Sequence, residues 1–162
     1  MGLLVVDAIE TSFGDFSRSA AALLLSLHYH GPMTATELAV IGGVTQPTAV
    51  RVVGGLIRRG LVVQEGRSGR TAPLALTPEG SKSALALQAA RLEAMERLLA
   101  ILPKAERVQF ERSLDRLLAS AIRSRTFARR TCRLCDHRAC SGPLCPIGTR
   151  ASELELDGNA KG

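Results

Sequence analysis

The stretch Thr34–Thr77, TATELAVIGGVTQPTAVRVVGGLIRRGLVVQEGRSGRTAPLALT, decides the fold. Thr34 with Glu37 forms a Thr-x-x-Glu capping box, in which each side chain satisfies an orphan backbone donor of the other. Leu38, Ala39 and Ile41 supply a buried face, and Gly42-Gly43-Val44 makes a tight turn. Thr45 caps the next helix, with Pro47 in its first turn, where a missing N–H costs nothing. Val50, Val53, Leu56 and Ile57 recur at helical spacing and are expected to face inward. Gln46, Thr48, Ala49, Arg51 and Val52 are then left near the exposed N-terminal half. Gly54-Gly55 costs about 2 kcal/mol of helix propensity, and a close helix–helix approach would account for one of the two. Arg58-Arg59-Gly60 closes the helix with cations at its negative end. Leu61–Val63 and Pro73–Leu76 read as two short strands around a polar loop, Gln64–Thr71. The expected fold class is therefore mainly α with a small β wing, a winged helix-turn-helix.

This pattern carries a chemistry. The exposed side of a recognition helix needs short or adaptable donors and acceptors that reach base edges in the major groove. Gln46 suits adenine, Arg51 suits guanine or a phosphate, and Thr48 suits either or a thymine methyl. The free N–H groups of the helix N-terminus, around Thr45 and Pro47, suit a phosphate. In the loop, Arg67 and Arg70 would reach the backbone or a narrow minor groove. The alternative is a solvated hairpin tip.

On the N-terminal side, Leu3–Glu10 reads as a short helix. A second runs from a cap at Asp15 or Ser17 to about His30, where Gly31-Pro32 ends it. His28 and His30 fit a helix end better than a ligand pair, since ligand spacing on a helix is i and i+4. On the C-terminal side, Thr77-Pro78 opens a helix whose Leu85, Leu92 and Leu99 repeat every seven residues, with Met95 and Leu102 beside them and Gln88 interrupting. That seam suits pairing between subunits or packing within one chain. After Pro103, a helix from about Lys104 to Arg125 aligns Phe110, Leu114, Leu117, Leu118, Ala121 and Ile122 on one face.

The totals agree with a nucleic-acid partner without proving one. The chain has 162 residues, a formal net charge of +6 and 46% hydrophobic residues, but only 3% aromatic ones. Its core must be built from Leu, Val, Ala and Ile. No apolar run reaches the roughly 18 residues of a spanning helix. The start, MGLLVVDAIE, has no basic n-region, and Val6 stands where myristoylation needs Ser or Thr, so neither a secretory signal nor a lipid anchor is expected. All four cysteines lie between Cys132 and Cys145, which is unlike a disulfide framework spread through a secreted fold. A cytoplasmic location is expected.

The segment from about Gly31 to Gly80 resembles the MarR family of bacterial winged-helix transcriptional regulators. The residues that carry this are Gly31-Pro32-Met33-Thr34 with Glu37-Leu38-Ala39, Gly43-Val44-Thr45-Gln46-Pro47-Thr48, Leu56 with Arg58-Arg59-Gly60-Leu61-Val62, and Leu76-Thr77-Pro78-Glu79-Gly80. With the flanking helices, the resemblance covers about Ala8 to Arg125. It implies a homodimer with interleaved N- and C-terminal helices, bound to palindromic double-stranded DNA. It implies that Thr45, Gln46, Thr48 and Arg51 lie in the major groove and that Arg70 is the wing arginine. Ser68 stands where the family often has Asp to brace that arginine, and the N-terminal helix is short for the family. It further implies a possible small-molecule effector.

Beyond that segment lies Cys132-x2-Cys135-x4-Cys140-x4-Cys145, with Gly142 and Pro143 supplying turns. Four soft ligands this close can enclose a tetrahedral ion, and the spacing is similar to a zinc knuckle with Cys140 in the His position. Zinc is the expected metal. An iron–sulfur cluster and metal-free redox thiols are the alternatives. His137 is a bystander. The chain thus divides into N-terminal helices (1–30), a DNA-binding domain (31–80), C-terminal dimerisation helices (81–127), a four-cysteine module (128–150) and a flexible acidic tail (151–162). The expected function is a DNA-binding regulator, a repressor, modulated by a small ligand, metal or redox state. The alternative is a protein-interaction or RNA-binding adaptor. No nucleophile–base pair or phosphate loop points to an enzyme.

Overall fold

Short-range hydrogen bonds start the helices. Ser17, Thr34, Thr45, Thr77 and Ser124 each accept from a backbone N–H three residues on. In the computed structural model, which describes residues 2–66, 72–136, 138–140, 142 and 145–159, these caps begin five of eight described helices. The order is α1 (Gly2–Ser12), α2 (Arg18–His30), α3 (Ala35–Gly42), α4 (Gln46–Arg58), β1 (Val62–Gln64), β2 (Leu74–Leu76), α5 (Pro78–Leu99), α6 (Lys104–Ala121), α7 (Arg125–Thr131) and α8 (Pro146–Asn159). The strands are antiparallel, with Val62 opposite Leu76 and Gln64 opposite Leu74. A bridge between Met33 and Leu74 ties the segment before α3 to this hairpin. The mainly helical winged architecture is as expected.

Around α2 the core closes. Leu23, Leu24 and Leu25 are fully buried with Leu38, Leu56 and Val62. Burying all faces of a helix this way is what a run of consecutive leucines allows. Gly42 is held by that packing: a Cβ there would meet Leu23 Cδ1 at 2.8 Å. Gly43 has a different task, since its φ of 66° is the left-handed conformation that ends α3.

The inward face of α4 differs from the expected one. Ala49, Val53 and Leu56 are buried and Val52 packs on the core, while Val50 is 54% exposed and Ile57 40%. The buried stripe is rotated by about one residue because small Ala49, at 0% exposure, marks the closest approach to the core. The Gly pair has no such role. Cβ atoms at Gly54 and Gly55 would meet only the flexible Arg58 guanidinium, at 3.6 and 3.9 Å. Gly54→Ala and Gly55→Ala are therefore each expected to stabilise the fold by up to about 1 kcal/mol. A higher urea midpoint for each variant would show it; a lower one would mean that Gly is needed there.

Two further corrections concern the C-terminal third. The helix expected to reach Arg125 stops at Ala121, where Ile122 turns extended (φ −77°, ψ 126°) and buries itself with the cysteine residues. Ser124 then caps α7. The tail expected to be flexible from residue 151 is helical to Asn159. Ala151 is fully buried in α8, and the Arg125 guanidinium pairs with the Glu155 carboxylate at 2.6 Å.

Candidate nucleic-acid interface and cysteine module

The helix-turn-helix is set by two caps and one turn. Thr34 N–H donates to Glu37 Oε2 at 2.8 Å and Glu37 N–H to Thr34 Oγ1 at 3.2 Å, which completes the capping box and holds the Glu37 carboxyl below its usual range. Across the Gly43 turn, α3 and α4 bend at 109°. That lies within the range of helix-turn-helix pairs.

On α4 the solvent face carries Gln46, Pro47, Val50 and Arg51, all exposed. Together with Ala35 they line a hollow of about 490 Å³. Gln46 Nε2 donates to Thr36 Oγ1 at 3.1 Å, which leaves its carbonyl end to accept. Thr48 is half-buried and its hydroxyl lies 2.9 Å from that of Thr45, so both serve the helix start. Val50 was missed in the sequence because its apolar side chain was assigned to the core. An exposed valine among polar groups suits a thymine methyl. Arg67, Ser68 and Arg70 lie outside the described residues, as does His137.

The cysteines form a second centre. Ile122, Ala128, Ile147 and Ala151 make a small apolar cluster that includes buried Cys132 and Cys145, with Cys135 and Cys140 packed against it. All four are free thiols. The Cys132 thiol neighbours that of Cys135, and the Cys140 thiol that of Cys145. The first contact pushes Cys132 up and pulls Cys135 down, and the Arg91 guanidinium adds to the fall at Cys135. Burial first, then the contact with Cys145, raises Cys140. At the start of α8, Cys145 Sγ accepts the Gly148 N–H at 3.1 Å. Among the described residues, no three His, Cys, Asp or Glu side chains are gathered in a geometry that could hold a metal ion.

This module docks on the helix-turn-helix core. Arg130 of α7 donates from Nε to the Val40 carbonyl at 3.1 Å, near the C-terminus of α3. Arg91 of α5 donates from Nη2 to the Leu134 carbonyl at 2.9 Å, inside the Cys132–Cys135 turn. The Arg138 guanidinium lies 5.9 Å from the Tyr29 ring centre. Between α7 and the core, His30, Met33, Ile41, Arg125 and Arg129 line a cleft of about 560 Å³.

The bent, capped helix pair with its hairpin has counterparts in solved structures. The crystal structure of MepR, a transcription regulator of the Staphylococcus aureus multidrug efflux pump MepA, is similar with a TM-score of 0.63 at 22% identity, over 75% of this chain and 92% of that one. The fold is that of the MarR-family regulators. A model of the MarR family matches residues 15–71, which takes in α2, α3, α4 and β1. RV1404 from Mycobacterium tuberculosis gives a TM-score of 0.61 at 22% identity, covering 75% of this chain and 84% of its own. The M. tuberculosis MarR family protein RV2887, in complex with salicylic acid, gives 0.57 at 26% identity, covering 72% and 89%. No curated protein sequence matches the chain. In this MarR-type fold the matched residues end before the cysteine module begins. No single helix among the described residues is long and apolar enough to cross a membrane.

Proposed function

We propose that the chain is a cytoplasmic DNA-binding transcriptional regulator, a repressor rather than an enzyme, that reads a palindromic operator as a homodimer. The observation that carries this is the outer face of α4: Gln46, Pro47, Val50 and Arg51 stand clear of the core on a helix bent 109° from α3. That face offers an acceptor, an apolar contact and a cation, which are the three kinds of group that read a major groove. The net charge of +6 supports an anionic partner. The two-fold arrangement is supported by α6, which buries none of its residues within the chain. Small-ligand modulation is supported by the cleft containing Arg125 and Arg129, whose cations suit a carboxylate such as the salicylic acid bound to RV2887.

A fluorescence titration against duplexes from the region upstream of its own gene tests the reading. Arg51→Ala is expected to weaken the preferred duplex by roughly tenfold or more, the worth of one bidentate base contact. Its binding to unrelated duplex should change much less. A protein that prefers no duplex sequence at low salt, or that binds RNA more tightly than DNA, is not the regulator described here.

A further inference from the structure

We propose that Cys132, Cys135, Cys140 and Cys145 bind one zinc ion as a tetrathiolate, and that this ion braces α7 against the C-terminus of α3. The first half stands on the thiol cluster alone. The second half rests on the DNA-binding reading above.

The placement of the thiols favours a small ion. All four lie on one apolar cluster, Cys132 and Cys145 buried in it and Cys135 and Cys140 packed against it, and the Cys135 N–H donates to the Cys132 carbonyl at 2.9 Å in the turn that brings the first two together. A tetrahedral site with Zn–S of about 2.3 Å has sulfur–sulfur edges of about 3.8 Å. An iron–sulfur cluster would hold its ligands further apart, on separate iron atoms. Zinc would draw the four sulfurs of the thiol cluster together, and only short stretches of sequence separate Cys135 from Cys140 and Cys140 from Cys145.

Charge is also provided for. Four thiolates around Zn²⁺ leave two negative charges in a partly buried site. The Arg91 guanidinium is held on the Leu134 carbonyl, next to Cys135 in the sequence, and the N-terminus of α8 points its Gly148 N–H at Cys145 Sγ from 3.1 Å. Gly148 makes that approach possible, since a Cβ there would stand 3.2 Å from the same sulfur. Such outer groups orient and stabilise metal-bound thiolates. Binding releases the thiol protons to water and needs no oxidant or reductant.

The consequence for DNA follows from where the ligands sit. Cys132 is the C-cap of α7, two residues beyond Arg130. Arg130 donates to the Val40 carbonyl, which also accepts the Gly43 N–H at 3.3 Å in the turn before α4. A cation there lies at the negative end of α3 and closes one of its last carbonyls. Zinc that fixes Cys132 fixes the end of α7, and with it the brace on the helix-turn-helix. A seven-residue helix is too short to persist on propensity alone, so it depends on such contacts outside itself.

The test begins with elemental analysis of the full chain purified anaerobically. One zinc per protomer is expected. Cys132→Ser and Cys140→Ser should each lose it, and Cys140→His, which keeps a zinc ligand, should retain it. Cobalt exchanged into the native protein should give the intense visible absorption of a tetrahedral thiolate site. Iron with acid-labile sulfide, metal-free protein, or full zinc in Cys140→Ser overturns the assignment. Should the serine variants fail to fold, chelator titration of the native chain gives the same decision, read as one zinc released with four thiols becoming reactive. For the second half, chelation and Arg130→Ala should each weaken operator binding by about tenfold. Unchanged affinity in both, while Arg51→Ala weakens binding, overturns the brace. A protein that binds no operator in any state overturns the DNA reading and the brace with it, and leaves the zinc measurement to stand by itself.

Discussion

Gly80→Ala is expected to lose about 3 kcal/mol of stability or more, or to fail to fold. A Cβ on Gly80 would stand 1.9 Å from the Leu61 carbonyl oxygen and 2.9 Å from its carbon. Both obstacles are backbone, so no side chain can rotate aside. Relief would require moving the first turn of α5 away from the start of the hairpin. That turn is tied there by two bonds, Thr77 N–H to the Leu61 carbonyl at 3.1 Å and Thr77 Oγ1 to the Gly60 carbonyl at 2.7 Å, while Gly80 N–H caps the helix on Thr77 Oγ1 at 2.9 Å. Leu61 and Val62 are buried in the main core, so the displaced strand would drag apolar packing with it. Against a typical total of 5–15 kcal/mol, the loss is large. Urea denaturation checks it: the midpoint should fall steeply with an unchanged slope. The Gly54→Ala and Gly55→Ala variants supply the opposite sign in the same assay. A Gly80→Ala midpoint within experimental error of the native one would show that the contact is not as drawn.

Introducing charge on α6 should have the largest effect on function. Phe110 is 45% exposed, Leu114 39% and Leu117 66%. They follow one another at intervals of four and three residues, so they form one stripe. On α5, Leu85 and Leu92 are each 53% exposed, so the heptad seam is left open by its own chain rather than packed within it. Exposed stripes of this kind mark interaction surfaces, and covering them gains about 25 cal/mol per Å² of apolar area. The double variant Phe110→Glu/Leu117→Glu is expected to convert a dimer into a monomer in sedimentation experiments. Operator affinity should then fall by roughly a hundredfold or more, because the second half-site is no longer held at high local concentration. Secondary structure should be unchanged, since α6 buries none of its residues within the chain. A native protein that sediments as a monomer, or a double variant that stays dimeric, would remove α6 from the interface.

Much of the helix-turn-helix was legible because its signals are local. A Thr cap and its N–H partner are three residues apart, so the starts of α3, α4 and α5 follow from Thr34, Thr45 and Thr77 alone. The ends at Gly31 and Gly43 follow from the positive φ that glycine tolerates. The exposed side of α4 was legible only in part. Gln46, Pro47 and Arg51 do face outward, but Val50 and Ile57 were assigned to the core on hydrophobicity, which reports what a residue prefers and not what it meets.

The chain's sequence by itself determined the order of helices as far as α6, the capped turn and the clustering of four cysteines in one short segment. Tertiary structure decided the rest. Long-range approach made Gly80 obligatory and Gly54 dispensable, although the two are identical in the sequence. Burial of Ile122 and Ala151 broke one expected helix and ordered an expected tail. Arg130 meets Val40 across 90 residues, a contact that no local pattern encodes. Propensity and capping act within a turn or two of the chain, whereas packing joins surfaces whose partners are known only once the chain has folded.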